Sequence, residues 1–179
     1  MIANHPQATP NAATRKLFYA LWPDDAARAA LAALQAGVRG RLIPPARLHV
    51  TLAFLGHLPA DAVPRLLDIL AALPLPALEL SIDCYGYFAR PRIAWAGMTQ
   101  PPAALIELQA ELVRRLEAAG FSAATHGSFK PHVTLAREAK EAPTGTFAPV
   151  PWHGARAVLV ESLPGGEYVV LEGLSPRGD

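Results

Sequence analysis

The pentapeptide His-Val-Thr-Leu-Ala is written twice in this chain, at 49–53 and at 132–136, 83 positions apart. Each copy closes a run of the same kind. The first run reads as a strand (LFYALWP), a helix over 24–36 with an Asp cap and Gly37 as its stop, a loop, and the strand carrying His49. The second reads as a strand (RIAWAGM), a helix over 101–119 ending at Gly120, a loop, and the strand carrying His132. A repeat in element order as well as spelling predicts two related halves, and 179 residues suit one domain built from them. The expected fold is α+β: two pseudo-symmetric lobes over 15–179, each an antiparallel sheet with helices packed outside, the sheets facing a central cleft. Residues 1–14 are expected to form a disordered tail.

The remaining segments fill in this plan. PADAVPRLLDILAAL predicts a further helix, with Pro64 tolerated in its first turn. LELSIDCYGYF predicts one strand. ARAVLVESL and EYVVLEG predict a closing hairpin around Pro164-Gly165-Gly166, and RLIPPA a loop.

Side chains alternate along a strand, so residues i and i+2 share a face. His49, Thr51 and Ala53 then point one way, and Val50, Leu52 and Phe54 the other. In the second copy His132, Thr134 and Ala136 share a face, opposite Val133 and Leu135. The Val/Leu faces suit cover by a helix, whereas the His/Thr faces suit the lining of a cleft. Bringing the halves together about a pseudo-twofold axis converges two imidazoles and two hydroxyls. An imidazole titrates near neutral pH, so one can take a proton while the other gives one. Each hydroxyl can donate a hydrogen bond to a phosphoryl oxygen as charge builds there. A phosphodiester displaced in line needs this set. Zinc is a poor fit: no third ligand stands at metal spacing, and threonine is an unsuitable partner for it. No metal or cofactor is expected.

Composition narrows the choice of substrate and compartment. A formal charge of +1 provides no global field for long nucleic acid, so anion recognition has to be local. The single Cys84 excludes an internal disulfide and suits a buried small hydrophobe in a reducing compartment. The N-terminal stretch lacks the apolar core of a signal peptide, and no run of about 18 apolar residues could span a membrane. A soluble, cytoplasmic monomer is expected.

On these motifs, and on KLFYALWP, LHVTLAFLGHLP, PPAALIELQAEL and FKPHVTLAR, the chain resembles the two-histidine (2H) phosphoesterase superfamily. Within it the likeness is to RNA 2′,3′-cyclic phosphodiesterases, also described as 2′-5′ RNA ligases, and it runs from Arg15 to the last strand. The resemblance implies metal-independent opening of 2′,3′-cyclic phosphates on RNA ends or nucleotides to 2′-phosphomonoesters. His49 and His132 would be the acid/base pair, with Thr51 and Thr134 on the phosphoryl oxygens. Arg137 would add fixed positive charge to the phosphate, although strict alternation turns it toward the Val133/Leu135 face. Phe18 is a candidate platform for stacking a base, and Trp95 a weaker one. Arg47 stands where relatives favour a polar amide and would add charge at the cleft mouth. His126 is a candidate for the cleft rim, His57 is expected in a solvent-facing turn, and His153 in a loop. Alternative readings are an RNA end-binding or 2′-5′ ligating protein, or a relative acting on ADP-ribose 1″,2″-cyclic phosphate or 2′-5′ oligonucleotides.

Overall fold

The computed structural model describes residues 13–124 and 127–176. Residues 1–12 of the expected tail, and His126, lie outside the described residues. Strand β1 (Thr14–Trp22) already begins at Thr14, which pairs with Pro59. Helix α1 (Asp25–Ala33) starts where the sequence placed it, because the Asp24 carboxylate accepts the Ala27 N–H at 2.7 Å. The motif strands follow as β3 (Val50–Pro59) and β7 (His132–Arg137). Helix α2 (Val63–Ala71) carries Pro64 in its first turn, and α3 (Ala103–Ala118) buries Leu105, Leu108, Leu112 and Leu116 as one stripe.

Three segments differ from the sequence reading. The predicted strand over LELSIDCYGYF is two: β4 (Glu79–Ile82) and β5 (Cys84–Phe88), which belong to different sheets. The break falls at Asp83, whose carboxylate accepts the Thr99 N–H and hydroxyl and whose own N–H donates to the Gly97 carbonyl at 2.9 Å, turning the chain from one sheet to the other. The loop RLIPPA contains a short strand, β2 (Arg41–Leu42), and a 3₁₀ turn (Pro45–Arg47) follows. Strand β8 (Val150–His153) pairs with β4, so His153 is not in a loop, and its ring bonds the Glu79 carboxylate. His57 likewise lies within β3, though exposed.

With β6 (Ile93–Gly97), β9 (Arg156–Ser162) and β10 (Tyr168–Leu174), the order in the main sheet is β10-β9-β1-β3-β7-β6-β5, and β2 pairs with β7. All the pairings are antiparallel. The two lobes of the repeat are the halves of this sheet. They join through one residue pair, Val50 with Val133, the same residue of each motif copy. The pseudo-twofold axis therefore passes between these valines, and the register sets His49 opposite Thr134 and Thr51 opposite His132. The closing hairpin β9–β10 completes the first lobe, while β2 crosses to the second. The core lies on the helix side of the sheet, where Leu17, Tyr19, Leu21, Leu31, Leu66, Leu112 and Trp152 are buried.

Candidate active site

The two motifs share more than spelling. Along β1 and β3, Ala20 pairs with Thr51 and Tyr19 with Ala53, leaving Leu52 as an extra residue. Along β6 and β7, Trp95 pairs with Thr134 and Ala94 with Ala136, leaving Leu135 as the extra one. Each copy thus carries a bulge at the same place. Two residues pass on the core side in succession, and the alternation is reset. Ala53 joins the main core and keeps only an edge on a cavity beside Phe54, and Ala136 packs with Ala94 and Ala139, out of the cleft where alternation puts it. The sixth residue of each copy returns to the cleft: Phe54, which is 39% exposed, and Arg137. Arg137 reaches the site by this reset.

Each bulge is tied down from the other half of the repeat. The amide of Gln35, just beyond α1, donates to the Leu135 carbonyl at 2.9 Å and to the Ile43 carbonyl at 2.7 Å. The amide of Gln109, in α3, donates to the Leu52 carbonyl at 3.2 Å. Such partners satisfy buried carbonyls at the bulges; the Leu135 carbonyl also accepts the Ile43 N–H at 2.9 Å, so Gln35 is its second donor. The signal was present in the sequence as a second repeat, Leu-Gln-Ala at 34–36 and 108–110, and it was missed.

The imidazoles are held alike. His49 Nδ1 lies 2.6 Å from the Arg47 carbonyl, and His132 Nδ1 lies 2.7 Å from the Lys130 carbonyl. A carbonyl only accepts, so Nδ1 carries the proton in both rings and Nε2 is left with the lone pair when the ring is neutral. His49 Nε2 is 3.0 Å from Thr51 Oγ, whose hydroxyl can donate to it.

Their surroundings differ. The His49 ring packs 5.1 Å from Phe18, 5.8 Å from Trp22 and 5.7 Å from Tyr168. Burial among these rings pushes its pKa down to about 4; the Arg47 carbonyl opposes the shift, and the charges of His132, Arg137 and Arg47 add to it. The His132 ring meets Phe88 at 5.1 Å and Trp95 at 5.8 Å. Burial lowers its pKa as well, with Lys130 and Arg137 contributing repulsion.

A cavity of about 140 Å³ gathers His49, Thr51, Thr134 and Arg137 with Lys16, Arg47 and Tyr168. Three guanidinium or ammonium groups beside two hydroxyls make it a site for a compact anion. His132 opens onto a second cavity that shares Thr51 and Phe54 with the first. Among the described residues, no three His, Cys, Asp or Glu side chains converge to hold a metal ion.

Phe18 and Trp95 have little free face, at 4% and 6% exposure. Phe18 lies in a cluster with Ala20, Val158 and Val160 behind His49. Trp95 lies flat across Gly86, where an added Cβ would come within 1.9 Å of the indole ring, so only glycine fits there. Tyr168 and Lys16 were missed by sequence reasoning. Tyr168 arrives on β10, far along the chain, with the Arg47 guanidinium stacked 4.6 Å over its ring.

The profile of the 2′-5′ RNA ligase superfamily matches residues 22–157, which take in both motif strands and the bulges. The chain belongs to this superfamily. Among its members, the RNA 2′,3′-cyclic phosphodiesterase of Escherichia coli is 38% identical over 105 residues, 59% of each chain. The enzyme of the same name from Thermus thermophilus is 34% identical over 92% of this chain and 91% of that one. The crystal structure of E. coli LigT complexed with 3′-AMP superposes with a TM-score of 0.79 at 28% identity, covering 93% of this chain and all of that one. The superfamily fold is thus shared across both lobes. No helix among the described residues is long and apolar enough to cross a membrane.

Proposed function

We propose that the protein hydrolyses 2′,3′-cyclic phosphate ends of RNA, or of nucleotides, to 2′-phosphomonoesters, with His49 and His132 as a general acid/base pair. The observation that carries this reading is the pseudo-twofold relation between two Nδ1-protonated imidazoles, each across the strand pair from the other copy's threonine. An in-line displacement places the entering and leaving oxygens on opposite sides of phosphorus. One imidazole takes the proton of the attacking water as the O–P bond forms. The other delivers a proton to the 3′ oxygen as its bond to phosphorus breaks. Thr51, Thr134 and Arg137 meet the charge on the equatorial oxygens. Relatives bearing the name RNA 2′,3′-cyclic phosphodiesterase support the substrate class. The same steps with a 5′-hydroxyl in place of water give 2′-5′ ligation, so one site serves both directions.

Phe18 and Trp95, offered first as stacking platforms, fit better as braces that hold the imidazole rings in place. Tyr168 and Trp22 keep more exposed surface for a base. Incubation with 2′,3′-cyclic nucleotides followed by phosphorus NMR tests the reading. A 2′-phosphate is expected, unaffected by EDTA. A 3′-phosphate product, or loss of activity on chelation, would contradict it.

A further inference from the structure

Among the described residues, no carboxylate lines the cavity that holds Thr51, Thr134 and Arg137. A 2′,3′-cyclic phosphate carries one negative charge, and Arg137 with the two hydroxyls already meets it. Lys16 and Arg47 line the same cavity and are left over. Neither forms an ion pair among the described residues, whereas Arg15, on the opposite face of β1 from Lys16, is paired with Glu161. Cations gathered in a cleft without a counter-charge focus their field on an incoming anion.

Register sets these two cations apart from the reacting centre. Strand β1 pairs with β9 without a break from Lys16 to Trp22, so Lys16, Phe18 and Ala20 share the cleft face. Ala20 pairs with Thr51, and Phe18 with Phe54. Lys16 lies four residues before Ala20, about 13 Å along the strand. It forms one transverse row with Ser162 and Tyr168, and its ammonium leans back to 5.7 Å from the Phe54 ring. Arg47 meets this row from β3's side, its guanidinium stacked 4.6 Å over the Tyr168 ring. Gly166, in the turn between β9 and β10, closes over that guanidinium: an added Cβ would stand 3.2 Å from Nη1. The Arg47 Nε is buried with no hydrogen-bond partner. Stacking thus holds the cation in place without neutralising it.

We propose that Lys16 and Arg47, with the Ser162 hydroxyl in the same row, form a second phosphate subsite. Its ligand is the 5′-phosphoryl group of the same nucleotide whose cyclic phosphate lies at the axis. The inference rests on the phosphodiesterase reading above and narrows its substrate class. The last nucleotide of an RNA chain carries a 5′ phosphodiester, whereas a free 2′,3′-cyclic nucleotide ends in a 5′-hydroxyl. A ribose lying along the row of Phe54 has its cyclic phosphate on the threonine side and its 5′ oxygen on the lysine side. The subsite therefore reads that the nucleotide belongs to a chain, and it carries no base preference.

The test compares kcat/KM for 2′,3′-cyclic AMP with that for the same nucleotide bearing a 5′-phosphate, at low ionic strength. The wild type should favour the 5′-phosphorylated form by about tenfold or more, the scale of one hydrogen bond to a charged group. Arg47→Gln and Lys16→Gln should each lower that preference several-fold, and the double variant should abolish it. Because the ratio is read, a loss common to both substrates cancels. Lys16 is exposed, so its variant keeps the comparison open if Arg47→Gln does not fold. Added salt should shrink the wild-type preference as the charges are screened. A wild type that hydrolyses both forms equally well would overturn the inference. So would equal losses on both forms with the preference intact, because the two cations would then serve the cyclic phosphate or the base. A wild type inert toward both would overturn the phosphodiesterase reading itself, and this inference with it.

Discussion

His49 and His132 sit in identical pentapeptides on equivalent strands, yet they do not share an environment. Backbone geometry is common to both: the carbonyl two residues back fixes the tautomer, and the bulge at Leu-Ala follows the threonine. The neighbours are not. Three rings and the charge of Arg47 press on His49, while Phe88, Trp95 and Lys130 surround His132. The sixth position separates the copies further, as Phe54 in one and Arg137 in the other. The local motif therefore sets where the imidazoles point, and long-range packing sets when they ionise. Two groups with one task each need the first to be equal and the second to differ.

The comparison breaks most visibly at the imidazoles. His49→Ala and His132→Ala should each lower kcat by about 10²–10⁴-fold on a cyclic nucleotide, the range typical of general acid–base groups. A variant retaining most of its rate would remove that histidine from the mechanism. The sixth position sharpens the contrast. Arg137→Ala should cost roughly 10²-fold in kcat/KM, as removal of a charge-stabilising donor does, whereas Phe54→Ala should cost far less. Equal losses would show that the copies contribute alike.

Ionisation gives a stability test. Both imidazoles titrate below 6.5 in the folded protein, and His49 at about 4. Between those values the unfolded chain binds more protons, so stability is present above pH 6.5 and is lost as pH falls toward 4. For His49 this loss is about 2–3 kcal/mol, read as a fall in the urea midpoint between pH 7 and 4.5. His49→Asn should flatten the fall, and an unaltered slope would contradict the burial argument. The smallest effect belongs to the braces. Gln109→Leu should cost about 1–2 kcal/mol by removing the amide donor of the Leu52 carbonyl, and Gln35→Leu a similar amount by removing that of the Ile43 carbonyl, since the Leu135 carbonyl keeps the Ile43 N–H. Chemical denaturation measures this, and Gln109→Leu should disturb the first motif although it lies in the helix preceding the second.

Much of this could be read from sequence because it is periodic or local. The Asp24 cap and the leucine stripe of α3 write their signal within a dozen residues, and the matched strand–helix–strand order is the sum of such local signals repeated in the second half. The cleft faces of His49, Thr51, His132 and Thr134 follow from alternation. Alternation fails two residues later, since a bulge has no composition that marks it, so Ala136 leaves the cleft face, Ala53 turns into the core, and Arg137 has no route to the site by alternation. Tyr168 was invisible for another reason: it reaches His49 only because the terminal hairpin pairs with β1. The split of LELSIDCYGYF depends on β8, a partner some seventy positions away.

The central claim is that the two histidines form one proton-transfer pair with opposite roles. The most direct measurement is kcat/KM against pH for the wild type and for each histidine-to-alanine variant. The wild type should give a bell with its centre below pH 6.5, because both imidazoles are depressed in the free enzyme. Each variant should lose one limb, the acidic limb vanishing with the general base and the alkaline limb with the general acid. Loss of the same limb in both variants, or a full bell surviving in either, would contradict the account.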